Sequence, residues 1–417
     1  MSATGLIAAG LSAALLGALG LQLLLTLLFA QIVRRRLGQR PALPNPAPPA
    51  EVVLCLRGAD PTLPQVLAAL AAQDYPGPWR LLLLIDSTDD PAWAVAAAQI
   101  DRLQASGGAG WQAARRVPLS NPPAAQSLKC AALRQAFELL DPATAVVALV
   151  DADAVVAPGW LSALVAGCSQ ERIAAVSGNR WYLSAAASGA STVRAIWNGG
   201  ALVLMTLLQI PWGGSLAIHR PLIEASGWRE LLATSLCEDT ALPSPLARSG
   251  WSYQFRPELL ALAGDDDVAL RPLRRWISRQ LLCARLHHPA WHLVLLHGLG
   301  TWLLLLLTLA ALALSLLLGQ TAAAGLLLTA LVIYELGCVG LLLLIEAVAR
   351  RCLLALGTTA PRHRPLALLG WLPLAQWVYG LATLRAALAR HVEWRGIHYR
   401  VRGRGVERLK RAPQPAR

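Results

Sequence analysis

The sequence predicts an α/β domain with a largely parallel sheet, set between apolar helices long enough to cross a membrane. Two observations carry this. Between about residues 51 and 150, short apolar runs alternate with stretches of helical spacing, and each run ends in a turn rich in aspartate. The apolar residues, 55% of the 417, are also concentrated toward the two ends of the chain.

Residues 1–40 form the first expected unit, a transmembrane anchor. Leu6 to about Ala30 is apolar throughout and ends in Arg34-Arg35-Arg36, with no arginine before it. The positive-inside tendency then puts the amino terminus outside and the following chain in the cytoplasm. A cleaved signal peptide is the rival reading, but its charges precede its apolar run and that run is shorter. Residues 41–50 are proline-rich, an extended and stiff linker.

Residues 51–290 read as a soluble domain. Glu51–Leu56, Leu81–Ile85 and Val146–Val150 are expected strands, and 63–72, 92–105 and 128–140 expected helices. The first strand ends in Arg57-Gly58-Ala59-Asp60-Pro61, the second in Asp86-Ser87-Thr88-Asp89-Asp90-Pro91, and the third in Asp151-Ala152-Asp153. A parallel sheet binds ligands beyond the carboxyl ends of its strands, where these aspartates fall. The stretch 107–127 is irregular.

Residues 291–350 are an expected transmembrane hairpin, with spans at about 293–318 and 322–348 around Gly319-Gln320-Thr321. Arg350-Arg351 returns the chain to the cytoplasm. Residues 351–417 are expected to hold an interfacial or re-entrant helix at 366–389 and a basic tail. That apolar stretch has arginines on both sides, so a span would strand one basic cluster outside.

The net charge of +13 comes almost wholly from arginines beside apolar runs or in the tail. Anionic lipid headgroups explain this placement, and no recognition motif accompanies it, so nucleic acid is excluded as a partner. Seven cysteines without a Cys-x-x-Cys pair are read as reduced, mostly buried thiols.

Asp151 and Asp153, two positions apart at a strand end, could hold a divalent cation that bridges a diphosphate. Lys129 is one of only two lysines among 37 basic residues, so a lysine within a predicted helix is less readily read as a plain surface position. Asp60 and Asp86 read equally well as helix caps. Glu238-Asp239 reads equally as an acidic pair at a helix amino terminus, and Arg274-Arg275-Trp276 as a membrane-surface anchor. His287, His288, His292 and His297 lack an acidic third ligand and read as interfacial polar residues. Asp265-Asp266-Asp267 reads as a solvated loop.

Together these motifs resemble the family 2 glycosyltransferases, and within them the ceramide glucosyltransferase-like branch. The resemblance covers roughly residues 50–290. Gly58-Ala59-Asp60-Pro61 looks like that branch's Gly-x-Asp-Pro turn, Asp86 begins its second-strand segment, and Asp151-Ala152-Asp153 matches its metal motif. Cys237-Glu238-Asp239-Thr240 resembles the pair that supplies the base. Arg275-Trp276 resembles the end of a Gln/Arg-x-x-Arg-Trp motif whose first position here is Pro272. Pro211-Trp212-Gly213-Gly214-Ser215 resembles an acceptor loop, and Trp394–Arg400 a carboxyl-terminal element of bacterial members.

The resemblance implies a GT-A-type nucleotide-sugar-binding domain that uses Mg2+ or Mn2+. Asp60, Asp86, Lys129 and Asp151 would serve the donor, and Asp153 with Asp151 the metal. Asp239 would act as base with Glu238 beside it, and Arg275 and Trp276 would close over diphosphate and acceptor. The expected activity is inverting transfer of one sugar, from UDP-glucose or a related donor, to a lipid such as ceramide or a hopanoid. The enzyme would be integral to a bacterial plasma membrane, with its catalytic domain in the cytoplasm. The alternatives are a processive polysaccharide synthase and a non-catalytic membrane protein with a decayed nucleotide fold.

Overall fold

A computed structural model describes residues 3–106, 110–183, 189–263 and 268–409. Asp265–Asp267 and Lys410 lie outside the described residues. The first helix, α1 (Ala3–Gly38), runs unbroken through Arg34-Arg35-Arg36. The proline-rich segment is then laid along the sheet domain: the Tyr75 hydroxyl donates to the Pro48 carbonyl, and Ala50 N–H donates to the Pro78 carbonyl.

Strand and helix alternate next, as expected, through β1 (Ala50–Leu56), α2 (Leu63–Ala71), β2 (Trp79–Ile85), α3 (Pro91–Ser106), β3 (Trp111–Pro118), α4 (Leu128–Leu139) and β4 (Val146–Val150). These strands are parallel in the order β3-β2-β1-β4. β1, β2 and β4 are buried on both faces, which explains their near-continuous apolar sequences. β3 falls in the stretch read as irregular. It is a half-buried edge strand carrying Arg115 and Arg116, so it lacks an apolar signature.

Past β4 the sheet departs from the parallel expectation. The chain continues through β5 (Ala154–Val155), α5 (Trp160–Cys168), β6 (Ile173–Tyr182), α6 (Gly189–Leu208), β7 (Ser215–His219), α7 (Arg220–Ala225), α8 (Trp228–Leu232), α9 (Pro243–Arg248) and β8 (Ser252–Ala263). The full order is β3-β2-β1-β4-β7-β6-β8-β5. β7 lies antiparallel between β4 and β6, and β5 pairs antiparallel with β8, so the sheet is mixed. The parallel expectation rested on the first three strands, which are parallel; the reversal comes from the half of the domain where no strand was read.

Four more helices follow: α10 (Leu270–His287), α11 (Trp291–Leu317), α12 (Thr321–Ala355) and α13 (Pro365–Leu388). α11 and α12 form the expected hairpin, and α12 continues past Arg350-Arg351 to Ala355. α1 lies against both. Ala8 packs on Ala323 and Leu327 at one end, while Phe29 and Val33 share a cluster with Ile345, Val348 and Leu260 of β8 at the other. One end of this three-helix bundle therefore sits on the sheet domain.

α6, inside the stretch read as soluble, is itself apolar and buried against the bundle. Its Leu202 and Val203 join the cluster of Phe29 and Ile345. Among the described residues, α1, α6, α11, α12 and α13 are long and apolar enough to cross a membrane. α13 is unbroken through Pro373, and both its ends return to the sheet domain. His363, just before it, meets the Trp181 ring at 5.7 Å, and the Ala386 and Ala387 carbonyls accept from Arg285 Nη1 at 2.6 and 2.8 Å. Where a basic tail was expected, β9 (His391–Trp394), β10 (Ile397–Arg402) and β11 (Gly405–Arg408) form an antiparallel sheet.

β8 breaks register between Phe255 and Leu260, in the stretch that carries Arg256 and Glu258. Arg256 Nη2 lies 2.5 Å from Glu258 Oε1, and both side chains are 3% exposed. Removing one partner strands the other charge in the core. Glu258→Ala should therefore cost about 3–5 kcal/mol, read as a lowered melting temperature in detergent.

Candidate active site

The turns after β1, β2 and β4 open on one edge of the sheet and bring their acidic residues together. Arg57 pairs with Asp86. Asp90, four residues after Asp86, takes the capping duty: it accepts from Ala92 N–H at 2.8 Å and from Gly58 N–H at 2.9 and 3.0 Å. Asp60 accepts from Thr62 N–H and Oγ1 at 3.1 and 2.6 Å, and from Arg395 Nη2 at 3.0 Å. Burial works against the Asp60 carboxylate, but these bonds outweigh it and hold it below its ordinary value.

Lys129 lies at the start of α4. Ser127 caps that helix by accepting from Cys130 N–H at 3.1 Å, and the Tyr399 hydroxyl accepts from Leu128 N–H at 3.2 Å. The ammonium sits 2.7 Å from Asp151 Oδ1 and 2.6 Å from Glu238 Oε1. It thereby joins the strand-end motif to the Glu-Asp pair. Burial lowers the lysine's affinity for its proton, but the two carboxylates overcome that and keep it charged. Asp151 is likewise held low by Lys129 in spite of burial. Asp153 is raised, by burial and by the charge of Asp151. Asp151 and Asp153 are the carboxylates this edge offers to a divalent cation.

Asp239 is oriented by the backbone: its Oδ2 accepts from Gly213 N–H at 3.0 Å and its Oδ1 from Thr240 N–H at 2.6 Å. Glycine at 213 leaves room for Glu238, because a Cβ there would lie 1.8 Å from its Oε1 and displace it. Burial, with Asp239 and Asp151 nearby, pushes Glu238 up to about 7 against the pull of Lys129. Thus the loop read as an acceptor segment touches both acidic residues.

On α10, Arg275 is half-exposed and lies 3.5 Å from Glu393 of β9. Trp276 meets the Tyr182 and Trp197 rings edge-on at 5.7 and 5.3 Å. Two arginines that the sequence reading passed over lie deeper. Arg180, at the end of β6, is buried with its guanidinium 4.8 to 5.4 Å from the rings of Trp276, Trp212 and Tyr182. Arg279, one helical turn beyond Arg275, lies under Trp394 at 4.6 Å. The spacing from Arg275 could have pointed to Arg279; Arg180 stands on a strand that was not read. The four histidines do not converge on a cation, and among the described residues no three His, Cys, Asp or Glu side chains do. All seven cysteines are free thiols.

Two cavities meet here. One, of about 640 Å³, is lined by Asp60, Asp86, Lys129, Asp151, Asp153 and Arg395 among others. The second, of about 250 Å³, runs from Asp239 and Thr240 between α6, α11, α12 and α13 as far as Gln22 of α1. Arg180, Trp212, Asp239, Gln280 and Cys283 line both.

A carboxyl raised from 4.5 to about 7 by folding is neutral in both states below pH 4.5. Across the window between those values only the unfolded chain loses the proton, so stability falls as pH rises through it. Glu238→Gln escapes this loss. Because the variant also gives up the ion pair with Lys129, the check is the slope: between pH 5 and pH 8 the wild type's melting temperature should fall relative to the variant's.

Comparison with known proteins places this geometry. The model of glycosyl transferase family 21 matches residues 13–406. No curated protein sequence matches the chain. Among solved structures, the chain is similar to a mannosyltransferase from Pyrobaculum calidifontis in complex with GDP-Man and Mn2+. The two are 19% identical over 83% of this chain and 97% of that one, with a TM-score of 0.54. It also matches glucosyl-3-phosphoglycerate synthase from Mycobacterium tuberculosis, 17% identical over 57% of this chain and 80% of that one, with a TM-score of 0.37. The sheet domain has the GT-A fold. The expectation of family 2 is corrected: strand-end aspartates report the fold, whereas the matching family model also takes in the helices and the carboxyl-terminal sheet. The chain belongs to glycosyl transferase family 21 and is a glycosyltransferase.

Proposed function

We propose that the enzyme transfers one hexose from a nucleotide-sugar, UDP-glucose or a relative, to the hydroxyl of a membrane lipid such as ceramide or a hopanoid. The meeting of the two cavities at Asp239 carries this reading. The larger is lined with carboxylates and arginines suited to a nucleotide diphosphate. The smaller leads from the same carboxylate into a cleft walled by long apolar helices, where an amphiphile's hydroxyl can reach Asp239 while its tail stays in hydrocarbon.

The residues present fit Mg2+ or Mn2+ held by Asp153 with Asp151. Two carboxylates plus substrate phosphate oxygens suit such an ion, and Asp153 is raised by burial beside Asp151, a cost that a divalent charge relieves. When bound, the ion would neutralise charge on the departing diphosphate. Asp60, Asp86 and Lys129 serve the donor side. Each Asp239 oxygen accepts one backbone N–H, which leaves the carboxylate lone pairs to take a proton from an acceptor in the second cavity that Asp239 lines. As the acceptor oxygen attacks the anomeric carbon, its proton passes to Asp239, the bond from carbon to diphosphate breaks, and the configuration inverts. Glu238 positions the base, and Arg275 and Trp276 close the site from α10. Arg180, caged by aromatic rings between the cavities, supplies fixed positive charge.

In the membrane, α1 enters from outside, α11 and α12 go out and return, and α13 lies along the interface. The return of both ends of α13 to the sheet domain supports that placement. A polymer product is less well served: a cleft of about 250 Å³ between apolar helices offers a hydrated glycan few partners.

The test is radiolabelled sugar transfer from UDP- and GDP-sugars into total lipid by purified enzyme. Label should enter a chloroform-soluble product, and Asp239→Asn should reduce the rate by about 10²–10⁴-fold while nucleotide binding persists. Gly213→Ala, which displaces Glu238, should cost on the order of 10²-fold in kcat. Ala201→Trp, on the α6 wall of the second cavity, should raise the lipid KM and leave the donor KM unchanged. Label found only in polymer, or none from folded wild type, would overturn the reading.

A further inference from the structure

The carboxyl-terminal sheet does more than end the chain. Its β9–β10 hairpin turns through Arg395 and Gly396, both in the left-handed region at φ 47° and 76°, a two-residue turn that aims its tip sharply. The tip lies over the ends of β1 and β2. Arg57 Nε donates to the Arg395 carbonyl at 3.1 Å, and Arg395 Nη1 donates back to the Arg57 carbonyl at 3.3 Å. Arg395 Nη2 lies 3.0 Å from Asp60 Oδ2, and Trp394 covers Arg279 at 4.6 Å. Three consecutive residues of the hairpin, Glu393, Trp394 and Arg395, line the larger cavity.

The two ends of this sheet are held very differently. Its far edge is fixed by backbone: Val406 N–H donates to the Thr234 carbonyl at 2.9 Å and Arg408 N–H to the Ala124 carbonyl at 2.6 Å. Tyr399, 2% exposed, anchors its middle through Leu128 N–H. The tip is held largely by charged side chains still open to solvent, with Arg395 42% and Glu393 44% exposed. Such exposed pairs contribute little to stability and exchange partners at low cost. The guanidinium of Arg395 also lies close enough to Asp153 for its charge to bear on that carboxyl. It therefore stands between two acidic groups at the place where a diphosphate would enter.

We propose that Arg395 is a donor-binding residue. In this proposal, which rests on the transferase reading above, the β9–β10 hairpin closes over the nucleoside diphosphate, and Arg395 leaves Asp60 for the donor's phosphate oxygens. A planar guanidinium is suited to that exchange, because its paired N–H groups match phosphate oxygens as well as carboxylate oxygens. Trp394, stacked on Arg279, gives the moving tip a surface to settle on.

The test uses the full chain in detergent, with UDP and GDP as probes in the presence of Mn2+. Binding is measured by calorimetry, and hydrogen exchange is followed over residues 390–409. Bound nucleotide should protect residues 394–397 in the wild type. Arg395→Ala should weaken binding at least tenfold and abolish that protection. Arg395→Lys should recover part of the affinity and keeps the charge if the alanine variant melts early, whereas Arg400→Ala, exposed on β10, should bind as the wild type does. The donor KM should rise in Arg395→Ala with the lipid KM unmoved. If Arg395→Ala or Arg395→Lys binds nucleotide as tightly as wild type, the hairpin is only a tether and the proposal fails while the transferase reading stands. If folded wild type binds neither nucleotide, the proposed nucleotide-sugar donor fails and takes this proposal with it.

Discussion

One buried ammonium holds the site together. Lys129 stands between Asp151, at the end of β4, and Glu238, which reaches the site from the segment after α8. Without that positive charge, Asp151, Asp153, Glu238 and Asp239 would crowd one edge of the sheet, and their repulsion would force protonation or separation. Everything around Lys129 serves to place it: the Ser127 cap, the Tyr399 hydroxyl on the next N–H, and the packing of α4 on β1 and β2. The ammonium stays charged in spite of its burial only because both carboxylates are close. The arrangement is thus mutually dependent, and no member is stable there alone.

Most of the first half of the domain was legible in sequence. β1, β2 and β4 announce themselves because strands buried on both faces must be apolar, and their terminal aspartates follow directly. Lys129 was legible for an unusual reason, its rarity in an arginine-rich chain. The second half was not legible. β7 is bounded by Ser215 and His219 and has only three apolar residues between them, and β8 carries a charged pair in its interior that breaks the apolar pattern while remaining buried in the fold. Arg180 was hidden with β6. The aromatic rings that cage it come from β6, the turn before β7 and α10, a convergence no local pattern records.

The membrane half shows a further limit of local reading. Apolar length identifies α1, α11 and α12 well, because a helix surrounded by hydrocarbon needs an apolar surface all round. The same signal leaves α6 ambiguous because most of it is covered by protein, and α13 ambiguous because arginines flank it on both sides. α6 belongs to the sheet domain by connection and to the helix bundle by packing. That double membership places the second cavity: its walls come from the bundle, while its inner end is Asp239. The chemistry and the apolar cleft are built from one continuous set of contacts.

That continuity settles where the chain could be divided. A single apolar cluster includes Leu15 of α1, Val193 of α6, Leu273 and Leu281 of α10, Tyr334 of α12, Ala382 of α13, and Tyr399 and Val406 of the last sheet. A cut after residue 290 would leave the inward faces of α6 and α10 uncovered and remove the hydroxyl that meets α4. The globular portion is therefore not an excisable module. The smallest piece that can be expected to fold as an enzyme is nearly the whole polypeptide, and the lipid bilayer or its detergent substitute is one of its folding partners.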